Sequence, residues 1–243
     1  MELIRTHFDT IDSTNTWAKH HAHTLPRDKI SLITAQTQTA GRGRFKRRWE
    51  SPADQNIYAS FCFFIEKHSA DIGNIPQVLA LSAAKILEQL GFKPELKWPN
   101  DVLLSKKKVA GILAETTPLS DQLCMIVGIG VNINMPAETL NLIDRPATSL
   151  SVEAEKPLDV EDVLLLLQNQ FQRDLELFFA EGFHPFLDDY RGRMNIDGLT
   201  SVRFDDNRAV WEGIIKRVDE DGSLVMELPS GETKTFIAGE ILF

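Results

Sequence analysis

The chain has 243 residues, 43% hydrophobic and 25% charged, which is enough apolar material for a real core and excludes a disordered, collagen-like or coiled-coil protein. Against 26 Lys and Arg stand 35 Asp and Glu, and the net charge of −9 argues against a general nucleic-acid binder, which needs excess cations to neutralise phosphates. One segment breaks that balance: Arg42, Arg44, Lys46, Arg47 and Arg48 put five positive charges into seven residues and point to a local anion site.

In chain order, residues 2–10 read as a short strand. Asp12 or Ser13 then caps a helix that carries Trp17 and Ala18 and runs to about Leu25. His20, His21 and His23 cluster on it, but no third ligand follows at metal spacing, so solvated histidines and no metal site are expected. Residues 30–37 (ISLITAQT) are β-branched and strand-like, and the basic glycine-rich segment follows as a loop. Residues 56–65 form a strand. Pro76 to Leu90 is an amphipathic helix stopped by Gly91. Residues 95–104 and 108–116 read as two strands joined by Ser105-Lys106-Lys107, and residues 122–133 as another with glycines at 128 and 130. A strong helix runs from Asp159 or Val160 to Ala180 and ends at Gly182; a shorter one covers Pro185–Tyr190. From Leu199 onward short strands alternate with turns at Asp205-Asp206-Asn207, Asp221-Gly222 and Ser230-Gly231, which predicts a small β-barrel packed on the main domain. The order predicts an α+β fold with neighbouring strands antiparallel. Cys62 and Cys124 lie in apolar runs and read as buried thiols of a reducing compartment. No run reaches the roughly 18 apolar residues of a membrane helix, and MELIRTHFDTID lacks a signal core, so a soluble cytoplasmic protein is expected.

Five segments carry the chemistry. In Gln38–Trp49 the glycines Gly41 and Gly43 let a backbone approach an anion, and the arginines offer forked donors. This is neither a P-loop nor a dinucleotide fingerprint, and a solvated basic loop or an RNA patch stays open on this segment alone. Lys97-Trp98-Pro99-Asn100-Asp101 places polar side chains where a strand changes course, as a site or as a turn with a tryptophan plug. Lys108-Val109-Ala110-Gly111-Ile112-Leu113-Ala114-Glu115 starts with a lysine at the hairpin's re-entry, while Lys106 and Lys107 read as solvated. Gly128-Ile129-Gly130-Val131-Asn132 weakens a strand unless something approaches its backbone, a bulge being the alternative. Ser13-Thr14-Asn15 either caps a helix or holds a polar ligand at its N-terminus.

In order and spacing, these segments together resemble biotin protein ligases. The resemblance runs from about residue 12 to 133, and the tail with Gly239-Glu240-Ile241 resembles the family's SH3-like C-terminal domain. It implies a class II synthetase-like core with a mixed, largely antiparallel sheet, a catalytic domain over 1–195 and a C-terminal domain over 199–243. It also implies ATP-dependent biotinylation, through biotinyl-5′-AMP, of one lysine on a biotin carboxyl carrier protein of the acetyl-CoA carboxylase type, with Mg²⁺ as cofactor. Biotin would meet Ser13, Thr14, Gln38, Tyr58, Gly128 and Gly130, with Leu113 and Ile129 as apolar wall. Gly41, Arg42, Gly43, Arg44, Arg47, Trp49 and Asn132 would hold the adenylate. The catalytic residues would be Lys108, Arg44 and Asp101. The family commonly has glycine where Lys46 stands, which predicts steric cost if that position has positive φ. Lipoate protein ligase shares this fold and is the first alternative; a nucleic-acid-binding regulator is the alternative of another class, against which the net charge of −9 argues. Only 12 residues precede Ser13, so a monofunctional ligase without a DNA-binding domain is expected, as monomer or homodimer, with no nucleic-acid or membrane partner.

Overall fold

The computed structural model describes residues 1–67, 72–194, 199–203 and 209–242. The first unit is β1 (Leu3–Ile11), α1 (Thr14–His21) and β2 (Ile30–Gln38). Because α1 crosses between them, β1 and β2 run parallel, Leu3 opposite Ile30, and not antiparallel as neighbouring strands were expected to be. The chain continues through β3 (Asn56–Glu66), α2 (Ile75–Gln89), β4 (Glu95–Lys97), β5 (Asp101–Leu104), β6 (Lys107–Pro118) and β7 (Gln122–Asn132). The predicted single strand 95–104 is therefore two. Trp98-Pro99-Asn100 form a turn, Pro99 donates nothing to a ladder, and β4 folds back on β5 with Lys97 opposite Asp101. The strand order is β1-β2-β3-β7-β6-β5-β4, antiparallel beyond β2.

The helices that follow are α3 (Ala137–Leu140), α4 (Leu150–Ala154), α5 (Val160–Glu181) and α6 (Leu187–Arg193). The two shortest, α3 and α4, carry too little periodicity to be legible in sequence. Asp159 caps α5 by accepting from the Asp162 N–H at 2.9 Å, and Gly182 ends it with φ 72°. The predicted helix 185–190 resolves into a 3₁₀ turn, His184–Phe186, leading into α6.

One face of the large sheet packs on α2 and α5, where Phe61 meets Phe171 edge-on with centroids 4.8 Å apart. Asp174 of α5 is buried there and accepts from Ser82 Oγ (2.7 Å), Lys85 Nζ (3.0 Å) and Gln170 Nε2 (3.0 Å). The other face is covered by α1, with Ala18 and Ala22 against Ile33, Cys62, Cys124 and Ile126. Both thiols are free and buried as expected, and burial pushes Cys124 up to about 11 and Cys62 well above its ordinary value. Among the described residues no helix is long and apolar enough to cross a membrane.

The tail forms a second sheet: β8 (Leu199–Arg203), β9 (Val210–Val218), β10 (Leu224–Glu227), β11 (Thr233–Phe236) and β12 (Glu240–Leu242), in the order β11-β10-β9-β8-β12. Among the described residues its edges β11 and β12 do not pair, so it is an open antiparallel sheet where a closed barrel was expected. The turns at Asp221-Gly222 and Ser230-Gly231 are present, with Gly222 and Gly231 at φ 75° and 83°. The expected turn at Asp205-Asp206-Asn207 lies outside the described residues.

Candidate active site

The N-terminus of α1 abuts the middle of the large sheet. Ser13 Oγ accepts from the Thr16 N–H, the usual cap, while the Thr14 N–H donates to Gln38 Oε1 at 2.9 Å. Ser60 Oγ donates to Asn15 Oδ1 at 2.6 Å and lies 2.8 Å from Thr14 Oγ1, and Asn15 Nδ2 donates to the Leu113 carbonyl at 3.0 Å. Gln38 Nε2 reaches Ser51 Oγ at 3.1 Å. These polar groups, buried apart from the half-buried Gln38, satisfy one another and form a floor. The glycines of β7 allow it. A Cβ on Gly128 would stand 2.2 Å from Asn15 Oδ1, and one on Gly130 2.4 Å from the Trp49 indole. What approaches the strand backbone is therefore, first of all, the protein's own side chains.

The basic loop is held at its base by Trp49 N–H to Gly41 O (3.0 Å) and Gly43 N–H to Arg47 O (2.8 Å). At its tip Phe45 and Lys46 both adopt the left-handed conformation, φ 58° and 59°. Lys46 thus bears the steric cost predicted for it. The Arg44 and Arg47 guanidinium groups flank the Phe45 ring, 4.9 and 5.1 Å from its centroid. Arg44 Nη1 donates to Asn100 Oδ1 (3.1 Å) and to the Gly239 carbonyl (3.0 Å). Arg47 binds Glu240 with both terminal nitrogens, at 3.1 and 2.7 Å, and Arg145 adds a bond of 2.6 Å. Burial by itself would raise the Glu240 carboxyl, but the hydrogen bonds from Arg47 and Arg145 overcome it and bring it down to about 2. Arg42 forks onto Glu115 at 3.1 and 3.2 Å.

Lys108 enters β6 pinned on its main chain: its N–H donates to Pro146 O and its carbonyl accepts from the Thr148 N–H, both at 2.9 Å. Its Nζ is 2.6 Å from Asp101 Oδ1 and 5.4 Å from the Trp49 ring centroid. Lys106 and Lys107 are exposed, as expected. Lys97 lies beside Asp101, and burial lowers its amine while Asp101 and Glu240 act in the opposite direction. Asn132 Nδ2 donates to the Thr148 carbonyl at 3.0 Å.

Most of these side chains line a cavity of about 490 Å³. Of the expected site residues, Ser13, Thr14, Gln38, Arg42, Gly43, Arg44, Arg47, Trp49, Asp101, Lys108, Leu113, Gly128, Ile129, Gly130 and Asn132 line it. Two do not. Gly41 is buried behind the wall, its carbonyl taken by Trp49. Tyr58 donates its hydroxyl to Pro52 O at 2.9 Å and faces a separate cleft with Arg5 and His7. The resemblance placed it at the biotin pocket; in the structure its hydroxyl is held by the Pro52 carbonyl instead. The sequence reading missed Ser60, Phe45, Arg145 and Glu240. Arg145-Pro146 in a polar stretch was a faint signal, and Ser60 in an apolar strand a better one. Among the described residues no group of three metal-ligating side chains occurs. The arrangement is a polar floor at a helix start, an apolar wall and a mouth rich in cations. It suits an elongated ligand whose anionic end lies among Lys108, Arg44 and Arg47.

Residues 7–132 match the model of the biotin/lipoate A/B protein ligase family, and residues 201–243 that of the biotin protein ligase C-terminal domain. The chain is 31% identical to the bifunctional ligase/repressor BirA of Escherichia coli over 95% of its own length and 71% of that protein. It is 30% identical to the biotin–[acetyl-CoA-carboxylase] ligase of Paracoccus denitrificans, covering 96% of this chain and 97% of that one. A solved structure of biotin protein ligase from Aquifex aeolicus, in complex with biotin and ATP, superposes with a TM-score of 0.81 at 29% identity, over 99% of this chain and 97% of that one.

Proposed function

The chain belongs to the biotin/lipoate A/B protein ligase family, and from its two matched regions we infer that it is a biotin protein ligase. It uses ATP to attach biotin to a lysine of a biotin carboxyl carrier protein, the acceptor implied by the acetyl-CoA carboxylase ligases it resembles. Residues 1–195 form the catalytic unit and 199–243 the C-terminal unit. The observation that carries the mechanism is one cavity that joins the floor at α1 to the cations of the basic loop and Lys108.

In the first step a biotin carboxylate oxygen attacks the α-phosphorus of ATP. The bond from that phosphorus to the β-phosphate bridging oxygen breaks, and pyrophosphate leaves with the electron pair. Two anions must meet, so fixed cations matter most. Ser13, Thr14 and Gln38 hold the biotin head against Leu113 and Ile129. Lys108 bridges the acyl oxygen and the α-phosphate. Arg44 and Arg47 hold phosphate oxygens, Arg42 adds charge from its anchor on Glu115, and Asn132 and Trp49 brace the adenylate. Mg²⁺ would be carried by the triphosphate rather than by protein carboxylates, and would supply shielding of its charge. The chain fits that mode, because the mouth carboxylates Asp101 and Glu240 are both paired with cations. In the second step the neutral acceptor amine attacks the acyl carbon, AMP leaves, and Asp101 takes the amine's proton. The loop excludes water from the mixed anhydride in between. The compartment is the cytoplasm, where free thiols such as Cys62 and Cys124 persist.

The test is incubation with ATP, Mg²⁺ and a carrier domain, offering biotin or lipoate separately. Pyrophosphate release and one added biotinyl group by mass are expected with biotin. Activity with lipoate alone would move the chain to the lipoate branch of the family.

A further inference from the structure

The chemistry above leaves the indole N–H of Trp98 without a task. That N–H donates to the carbonyl of Gly222 at 2.9 Å, in the turn between β9 and β10. Gln77 Nε2 donates to the same carbonyl at 2.9 Å, and Asn74 Nδ2 to the Asp221 carbonyl at 2.9 Å. From α6, Arg191 Nε donates to the Val218 carbonyl at 2.8 Å. Trp98, Asn74 and Gln77 are all buried, so these donors have no water to fall back on. Gly222 has φ 75°, and a Cβ there would stand 1.8 Å from Asn74 Nδ2. The turn is seated in a socket shaped for a bare backbone.

The same sheet meets the basic loop at its other end, where Gly239 O accepts from Arg44 and Glu240 from Arg47. Hydrogen-bonded strands connect the two ends: β10 to β9, β9 to β8, β8 to β12. The circuit closes through Asn100, two residues after Trp98, which also binds Arg44. We propose that Trp98 is a positioning residue: by seating the Gly222 turn it sets where Gly239 and Glu240 grip the loop, and so how long the loop retains the activated intermediate. The inference rests on the ligase reading for what is retained, and not for the seating itself.

Trp98→Phe keeps the ring and removes the donor. Trypsin is expected to nick the loop at Arg44, Lys46 or Arg47 about fivefold faster, the scale of one lost neutral hydrogen bond. Biotinyl-adenylate should dissociate faster by a similar factor, and KM for ATP should rise, while single-turnover adenylate formation at saturating ATP changes little. If Trp98 acts through Glu240, Trp98→Phe combined with Glu240→Gln should release adenylate no faster than the faster single variant. Should Trp98→Phe not fold, Gln77→Met, which removes the other donor to Gly222, gives the same comparison. Unchanged loop nicking, multiplicative effects in the double variant, or a fall in kcat with retention intact would each overturn the proposal. If the wild-type protein makes no adenylate, the ligase reading fails, and the trypsin comparison still decides the seating.

Discussion

Glu240→Gln tests the carboxylate by which β12 holds Arg47 of the basic loop and Arg145. In the folded protein its carboxyl is brought from 4.5 to about 2, mainly by hydrogen bonds from Arg47 and Arg145 that outweigh its burial. A displacement of that size favours the ionised form in the native state by about 3 kcal/mol. The folded value is depressed, so this contribution is complete above pH about 4.5 and is lost as pH falls toward 2. Glutamine keeps an acceptor oxygen but removes the charge, so the variant should be less stable at pH 7 by about 2 kcal/mol, on the scale of a charged hydrogen bond. The gap between wild type and variant should then shrink by about 2 kcal/mol between pH 7 and pH 3. Urea midpoints measured for both proteins across that range check this. Parallel pH profiles would show that Glu240 is not the paired carboxylate described here, and would remove the physical basis for its grip on Arg47.

Four other outcomes follow from the site and the core. Lys108→Ala should slow adenylate formation at least about 10²-fold, as for a lost transition-state donor, and wild-type pyrophosphate release would sink its assignment. Arg44→Gly removes the bonds to Asn100 and Gly239, so activated biotin should leak; bystander lysines in a protein mixture should be labelled more heavily, measured by avidin blot. Lys46→Gly relieves a left-handed lysine at the loop tip, and its adenylate off-rate should shift slightly without loss of turnover; an identical off-rate counts against any role for Lys46. Asp174→Asn leaves Lys85 facing a neutral partner beneath α2, which should cost about 3 kcal/mol in denaturant unfolding with catalytic constants unchanged.

Much of the site was legible because its pieces are local. A serine before an apolar periodic run announces a cap, clustered arginines among glycines announce an anion loop, and a lysine after a polar turn announces a strand start. Periodicity reports which faces are buried, and it placed α2, α5 and most strands within a residue or two. It does not report partners. Nothing local distinguishes a parallel β1–β2 pair from a hairpin, because the crossover depends on where α1 packs. Tyr58 shows the same limit: its strand was placed correctly, but no local pattern shows that its hydroxyl is held by the Pro52 carbonyl.

The sequence by itself therefore determined the α+β order and pointed to an anionic ligand, since both depend on residue type and short spacing, while the roles expected of single site residues came from the order of all five segments taken together. Only the tertiary structure decided that Glu240 lies against Arg47, 193 residues away, and that Trp98 seats Gly222, 124 residues away. Both contacts depend on how two sheets dock. Docking is set by the shape and unpaired donors of whole surfaces, and no short stretch of sequence contains that information.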